Sequence, residues 1–109
     1  MSSEPRITYL FQNRQTDGQG TPAKAARKMQ LSAEGTFDGA TVVIKTRVSS
    51  DLSYQAIRNQ DGSAYSITDA RVDDIIDGLA KFSDIVAEMS GAGASTDVTV
   101  TIAMVDGDE

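Results

Sequence analysis

The chain contains no Cys, no His and no Trp, and only two Pro in 109 residues. Without Cys there is no disulfide framework, no thiol nucleophile and no thiolate-held metal. Without His the usual general base and the commonest transition-metal ligand are missing. A Ser-His-Asp or Cys-His catalytic site therefore cannot be assembled from this chain. Aromatic residues are sparse, at 6%, which disfavours sugar stacking. No apolar run approaches the roughly 20 residues that a membrane helix needs. Basic residues are outnumbered, 10 Lys and Arg against 16 Asp and Glu, for a formal charge of -6. Phosphate neutralisation supplies most non-specific nucleic-acid affinity, so an acidic chain is a poor partner for it. The start, Met1-Ser2-Ser3-Glu4-Pro5, has no basic patch followed by an apolar core, so no signal peptide is expected. These features predict a soluble protein made in the cytoplasm. Its length suits one domain with a modest core, not a cleft between two domains.

What the chain does have is turn chemistry between alternating runs. Met29, Leu31 and Ala33 alternate with Gln30, Ser32 and Glu34, and beyond Asp38-Gly39 the residues Val42, Ile44 and Val48 fall in step. Asp-Gly tolerates positive φ and suits a tight turn, so residues 27–37 and 40–48 are predicted to form a hairpin. Residues 7–15 can form a first strand, with Ile7, Tyr9 and Phe11 on one parity. Residues 16–24, with Asp17-Gly18, Gly20 and Pro22, read as a loop. Further turns are expected at Ser49-Ser50-Asp51 and Asp61-Gly62, with short strands at 54–58 and 64–68. Val98, Val100, Ile102 and Met104 alternate with Thr99, Thr101 and Ala103, a strand rich in β-branched residues. Residues 1–5 are expected to be a disordered lead, 6–105 a single domain and 106–109 an acidic tail.

Residues 69–90 support two readings. Val72, Ile75, Ile76, Leu79, Phe82, Val86 and Met89 fall at spacings of three and four, the period of an amphipathic helix. Against a helix stand Gly78, which costs about 1 kcal/mol relative to Ala, and the acidic Asp84 and Glu88 in the last turns, where the macrodipole favours cations. The other reading is a strand through Ile75-Ile76, a turn at residues 78–81 and a strand over 82–89. The first reading gives an α+β domain, the second an all-β one.

Taken in order, three motifs resemble those of small all-β proteins encoded in the structural modules of tailed bacteriophages. They are Gly35-Thr36-Phe37-Asp38-Gly39-Ala40-Thr41-Val42, Gly78-Leu79-Ala80-Lys81-Phe82, and Ser90-Gly91-Ala92-Gly93-Ala94-Ser95 followed by Val98-Thr99-Val100-Thr101-Ile102. The resemblance spans residues 27–105. It implies an all-β fold, a two-sheet antiparallel β-sandwich of jelly-roll or immunoglobulin-like type, with 69–90 as turn and strand. It also implies a non-enzymatic virion component: a capsid decoration or cement protein, or alternatively a tail, neck or fibre module. Its partners would be the major capsid protein or other virion proteins, with self-assembly into a small oligomer and no cofactor. A carbohydrate- or receptor-binding module is a further alternative.

Few residues offer themselves for function. Lys24, Arg27 and Lys28 could dock on an acidic neighbour, since complementary charge registers an interface; equally, they could be solubility charge guarding an edge strand. Tyr9, Phe11, Tyr54, Tyr65 and Phe82 could anchor contacts, although a sandwich needs bulky residues between its sheets. Asp73, Asp74 and Asp77, or the 106–109 tail, could gather Ca²⁺, but no calcium-loop pattern is present. The loop at 91–95 lacks the Gly-Lys-Ser/Thr ending of a phosphate cradle. No catalytic or metal residue is therefore expected.

Overall fold

The computed structural model describes residues 7–80 and 83–104. Ten strands are present and no helix among the described residues. They are β1 Ile7–Arg14, β2 Gly18–Gln19, β3 Ala23–Lys24, β4 Lys28–Thr36, β5 Thr41–Arg47, β6 Gln55–Ala56, β7 Ser66–Ile67, β8 Arg71–Asp77, β9 Asp84–Ser90 and β10 Asp97–Met104. One sheet runs β1-β10-β4-β8. The other runs β2-β9-β5-β6, with β3 also on β9 and β7 also on β5. Every pairing is antiparallel. The protein is an all-β, two-sheet sandwich.

The pairings nest. β1 meets β10, β2 and β3 meet β9, β4 meets β8, and β5 meets β6 and β7. The chain is thus one long hairpin with its tip at residues 48–54. It is rolled so that β10 also pairs with β4 and β9 with β5. This is jelly-roll connectivity. The core lies between the sheets, where Leu10, Met29, Leu31, Val42, Ile44, Ile67, Ile85, Met89, Val98 and Val100 are fully buried. β10 and β4 pair over eight consecutive positions, Asp97 with Thr36 through Met104 with Met29.

The roll overturns the expected hairpin at Asp38-Gly39. The tight turn itself is there: Asp38 and Gly39 have φ of 48° and 86°, and Ala40 N donates to Phe37 O at 2.9 Å. The flanking strands, however, belong to different sheets. The turn is a corner. It is held by the β9–β10 connection, which also crosses between sheets: Ser95 N donates to Asp38 Oδ2 at 2.9 Å and Thr96 Oγ1 to Phe37 O at 2.8 Å. Alternation on either side of a turn shows which faces are buried, not which strand lies alongside.

Residues 69–90 are strand, turn and strand. Gly78 adopts φ of 95° and donates its N–H to Arg27 O at 2.8 Å, a conformation that ends β8. The second strand begins at Asp84, and Lys81 and Phe82 lie outside the described residues, as do residues 1–6 and 105–109. The spacing of three and four comes from two strands. In β8 a bulge between Arg71 and Asp74 breaks the two-residue period, leaving Val72 and Ile75 exposed and Ile76 buried. In β9 both faces are buried, at Ile85, Val86, Ala87 and Met89.

Three smaller expectations also fail. The 16–24 loop contains β2 and β3, which together edge β9. Val48 does not continue the buried parity of Val42 and Ile44; it lies past the end of β5 and is exposed. In β1 the register shifts between Tyr9 and Phe11. That bulge turns Leu10 and Phe11 both inward and leaves Ile7 and Tyr9 outside.

Candidate functional site

Among the described residues six large apolar side chains are exposed. Val48 and Leu52 lie at the hairpin tip, Ile7 and Tyr9 on β1 at one edge of the four-stranded sheet, and Val72 and Ile75 on β8 at its opposite edge. Each place is built by ordered elements.

The tip is a closed turn. Leu52 N donates to Ser49 O at 3.0 Å and Asp51 N to Ser49 Oγ at 3.2 Å. Arg47 ties it to the sheet. Its Nη1 reaches Leu52 O at 3.3 Å, its Nε donates to Asp84 Oδ2 at 2.9 Å, and its guanidinium stacks 4.3 Å from the Tyr54 ring centroid. Asp84 also accepts from Lys24 Nζ at 2.6 Å, and its side chain is only 11% exposed. The Lys24 hydrogen bond, then the Arg47 one, holds the Asp84 carboxyl below its ordinary pKa of 3.8. A depressed carboxylate pKa contributes stability in full above the unfolded value and loses it as pH falls through the folded one. Acidification below about pH 3.8 should therefore loosen the tip as Asp84 protonates. Asp84→Asn should do the same at neutral pH. Hydrogen exchange at the Leu52 amide should quicken in that variant while β10 stays protected; unchanged exchange at Leu52 would remove Asp84 as a support of the tip.

The basic trio is divided by the fold. Lys24 lies in β3 of the six-stranded sheet and is engaged by Asp84. Lys28 opens β4 in the other sheet, opposite Asp77. Exposed Arg27 lies on the crossing segment between them, where Ala25 and Ala26 are buried.

The three aspartates of β8 are also separated in role. Tyr65 Oη donates to Asp74 Oδ2, and Arg71 bridges Asp74 at 3.0 Å and Asp69 at 2.7 Å. Burial, followed by the Asp74 hydrogen bond and charge, pushes the Tyr65 phenol well above its ordinary pKa. Burial works against the charge on Asp74, but the Tyr65 and Arg71 hydrogen bonds outweigh it and keep its pKa low. The phenol is therefore held neutral and the carboxylate is occupied. This group borders an open depression of about 450 Å³ with Ile57, Arg58 and Asn59. Its bonds are all internal, so it braces β7 against β8. Among the described residues no group of three His, Cys, Asp or Glu is placed to hold a metal ion.

Of the aromatic residues, Phe11 is core, Tyr65 packs against it, Tyr54 stacks on Arg47 and Tyr9 is exposed. Local pattern does not reveal these exposed apolar residues: alternation groups Tyr9 with Phe11 and Val48 with Ile44, and helical spacing absorbs Val72 and Ile75. The signal available was the position of Val48 and Leu52 on either side of a polar turn. No family model, no curated protein and no solved structure matches the chain.

Proposed function

We propose that this chain is a non-enzymatic structural protein of a tailed-phage virion, acting as a capsid decoration or cement protein. One observation carries the reading: the sandwich exposes large apolar side chains at separate places, Val48 with Leu52 at the hairpin tip, Ile7 with Tyr9 on one edge strand of the four-stranded sheet, and Val72 with Ile75 on the opposite edge strand. Exposed apolar patches mark interaction surfaces, and a joint between neighbours needs more than one. The motif resemblance over residues 27–105 supplies the virion context. Jelly rolls serve in virus shells, in lectins and in enzymes, so the fold alone assigns no role.

The mechanism is adhesive. The buttressed tip would insert Val48 and Leu52 into a seam between shell subunits, with Lys24, Arg27 and Lys28 contributing steering charge that salt screens. Each contact is weak, and repetition on a symmetric shell multiplies it. Two experiments test this reading. Fractionation of a lysate from cells producing the virus should leave the chain with tailless heads in many copies. The purified chain should also rebind heads stripped of it and saturate at a fixed ratio to shell subunits, and the double change Val48→Asp, Leu52→Asp should abolish rebinding. A few copies that follow tails would instead assign the chain to a tail, neck or fibre module.

A further inference from the structure

We propose that two copies of this chain pair face to face through the outer surface of the four-stranded sheet, with their β4 strands antiparallel across the interface. This inference rests on the sheet surface alone and stands whether or not the virion reading holds.

The ladder registers lay out the surface row by row. Ile7 stands beside Ala103, Ala103 beside Gln30, and Gln30 beside Ile75. In the next row Tyr9 stands beside Thr101 and Thr101 beside Ser32, which faces the β8 bulge around Val72. Within these two rows the side chains from β1, β10 and β4 carry no charge, while the β8 end carries one, exposed Asp73, which shares the bulge opposite Ser32 with Val72. Ile7, Tyr9, Val72 and Ile75 are each at least half exposed. Charge appears at the row ends of β4. Lys28 lies one row before Gln30 and Glu34 one row after Ser32, and both are exposed on the same outward parity.

That layout is self-complementary. Consider a two-fold axis lying in the interface, across the strands and between these two rows. It brings Ile7 of one copy over Tyr9 of the other and Ile75 over Val72. It also brings Lys28 over Glu34, and each contact occurs twice, as an isologous interface requires. A chain of charge -6 repels its copy; on this face the apolar edge pairs and the Lys28–Glu34 contacts work against that repulsion, with polar Gln30 and Ser32 between them and Asp73 and Asp77 at the β8 margin. The size is sufficient. Four strands about 4.8 Å apart, each contributing about seven residues at roughly 3.3 Å, give a footprint of roughly 400 Å². With side-chain relief this becomes about 600 Å² per copy, or roughly 1,200 Å² in total, where specific interfaces begin.

Sedimentation equilibrium and light scattering on the purified chain test the proposal. At micromolar to tens of micromolar concentration the mass should be twice the 11.6 kDa of one chain. Tyr9→Asp should weaken pairing by about a thousandfold, since hot-spot losses of about 2 kcal/mol count twice in a symmetric interface and about 1.4 kcal/mol is tenfold. Lys28→Glu alone and Glu34→Lys alone should each weaken it about tenfold by placing like charges face to face. The combined swap, Lys28→Glu with Glu34→Lys, should restore it. All these side chains are exposed, so circular dichroism should show each variant folded. A monomer at every concentration overturns the proposal. So does a dimer indifferent to Tyr9→Asp, which would use another surface. A dimer broken by both single charge changes and not repaired by the swap overturns the antiparallel arrangement.

Discussion

Gly35→Ala should destabilise the fold by about 4 kcal/mol or more, a large share of the 5–15 kcal/mol that holds a typical domain together. Two causes act at once. Gly35 has φ of 115°, a conformation that L side chains resist, and strain of this kind costs about 1–3 kcal/mol. An added Cβ would also lie 2.0 Å from the carbonyl oxygen of Asp97. That atom belongs to β10, whose Val98 is the ladder partner of Gly35, so it cannot move without breaking the longest pairing in the structure. Gly62 and Gly39 are the controls. Both have positive φ, but an added Cβ meets nothing within 4 Å at Gly62 and only Gly91 O at 3.8 Å at Gly39. Substitution there should cost only the strain, about 1–3 kcal/mol. Urea unfolding of the three variants checks the ranking. A Gly35 variant no weaker than the Gly62 variant would mean that β4 and β10 do not approach as described.

Leu10→Ala should cost about 2–5 kcal/mol, the range for emptying a buried leucine site. Strict alternation places Leu10 outside, on the opposite parity to Phe11, where truncation would cost within about 0.5 kcal/mol. The β1 bulge places it inside at 1% exposure, beside Phe11 at 3%. Phe11→Ala should fall near 3–5 kcal/mol under either arrangement, so Leu10 alone decides between them. Measuring both variants by chemical denaturation tests the bulge. A leucine truncation without effect would restore regular alternation and turn Tyr9 inward.

These two residues also show how far the sequence could be read. The strands at 27–37, 40–48 and 98–104, and the buried parity of Met29, Leu31, Ala33, Val98, Val100 and Ile102 were legible, because period-two alternation records burial directly. The all-β class followed only from the motif resemblance, since the spacing within 69–90 left an α+β domain open. The Asp38-Gly39 turn was legible as a turn. Its strands were not legible as partners, since the partner of Thr36 is Asp97, sixty-one positions away, and no local pattern encodes that distance. The bulge escaped because one extra residue shifts every later side chain by one face. Residues 69–90 remained open between helix and strand because the β8 bulge breaks the two-residue period there and β9 is buried on both sides. The apolar patches are assembled from residues that look like core until the register is known. Ile75 sits outside because the register puts Ile76 opposite Met29, and Val72 because a bulge between Arg71 and Asp74 shifts the face of the strand.

Ile7 stands beside Ala103 in the sheet, so β1 takes its partner from a strand about ninety-six positions later. At about 5–20 residues per second, translation separates the two by roughly 5–20 s. Throughout that interval Tyr9, Leu10 and Phe11 have no ladder to join, and the edge they would occupy does not yet exist. β4 shares the delay on its β10 side. Completion of the four-stranded sheet therefore waits for Val98, Val100 and Ile102 to emerge. A nascent chain stalled before them exposes several unpaired strands rather than a smaller folded core.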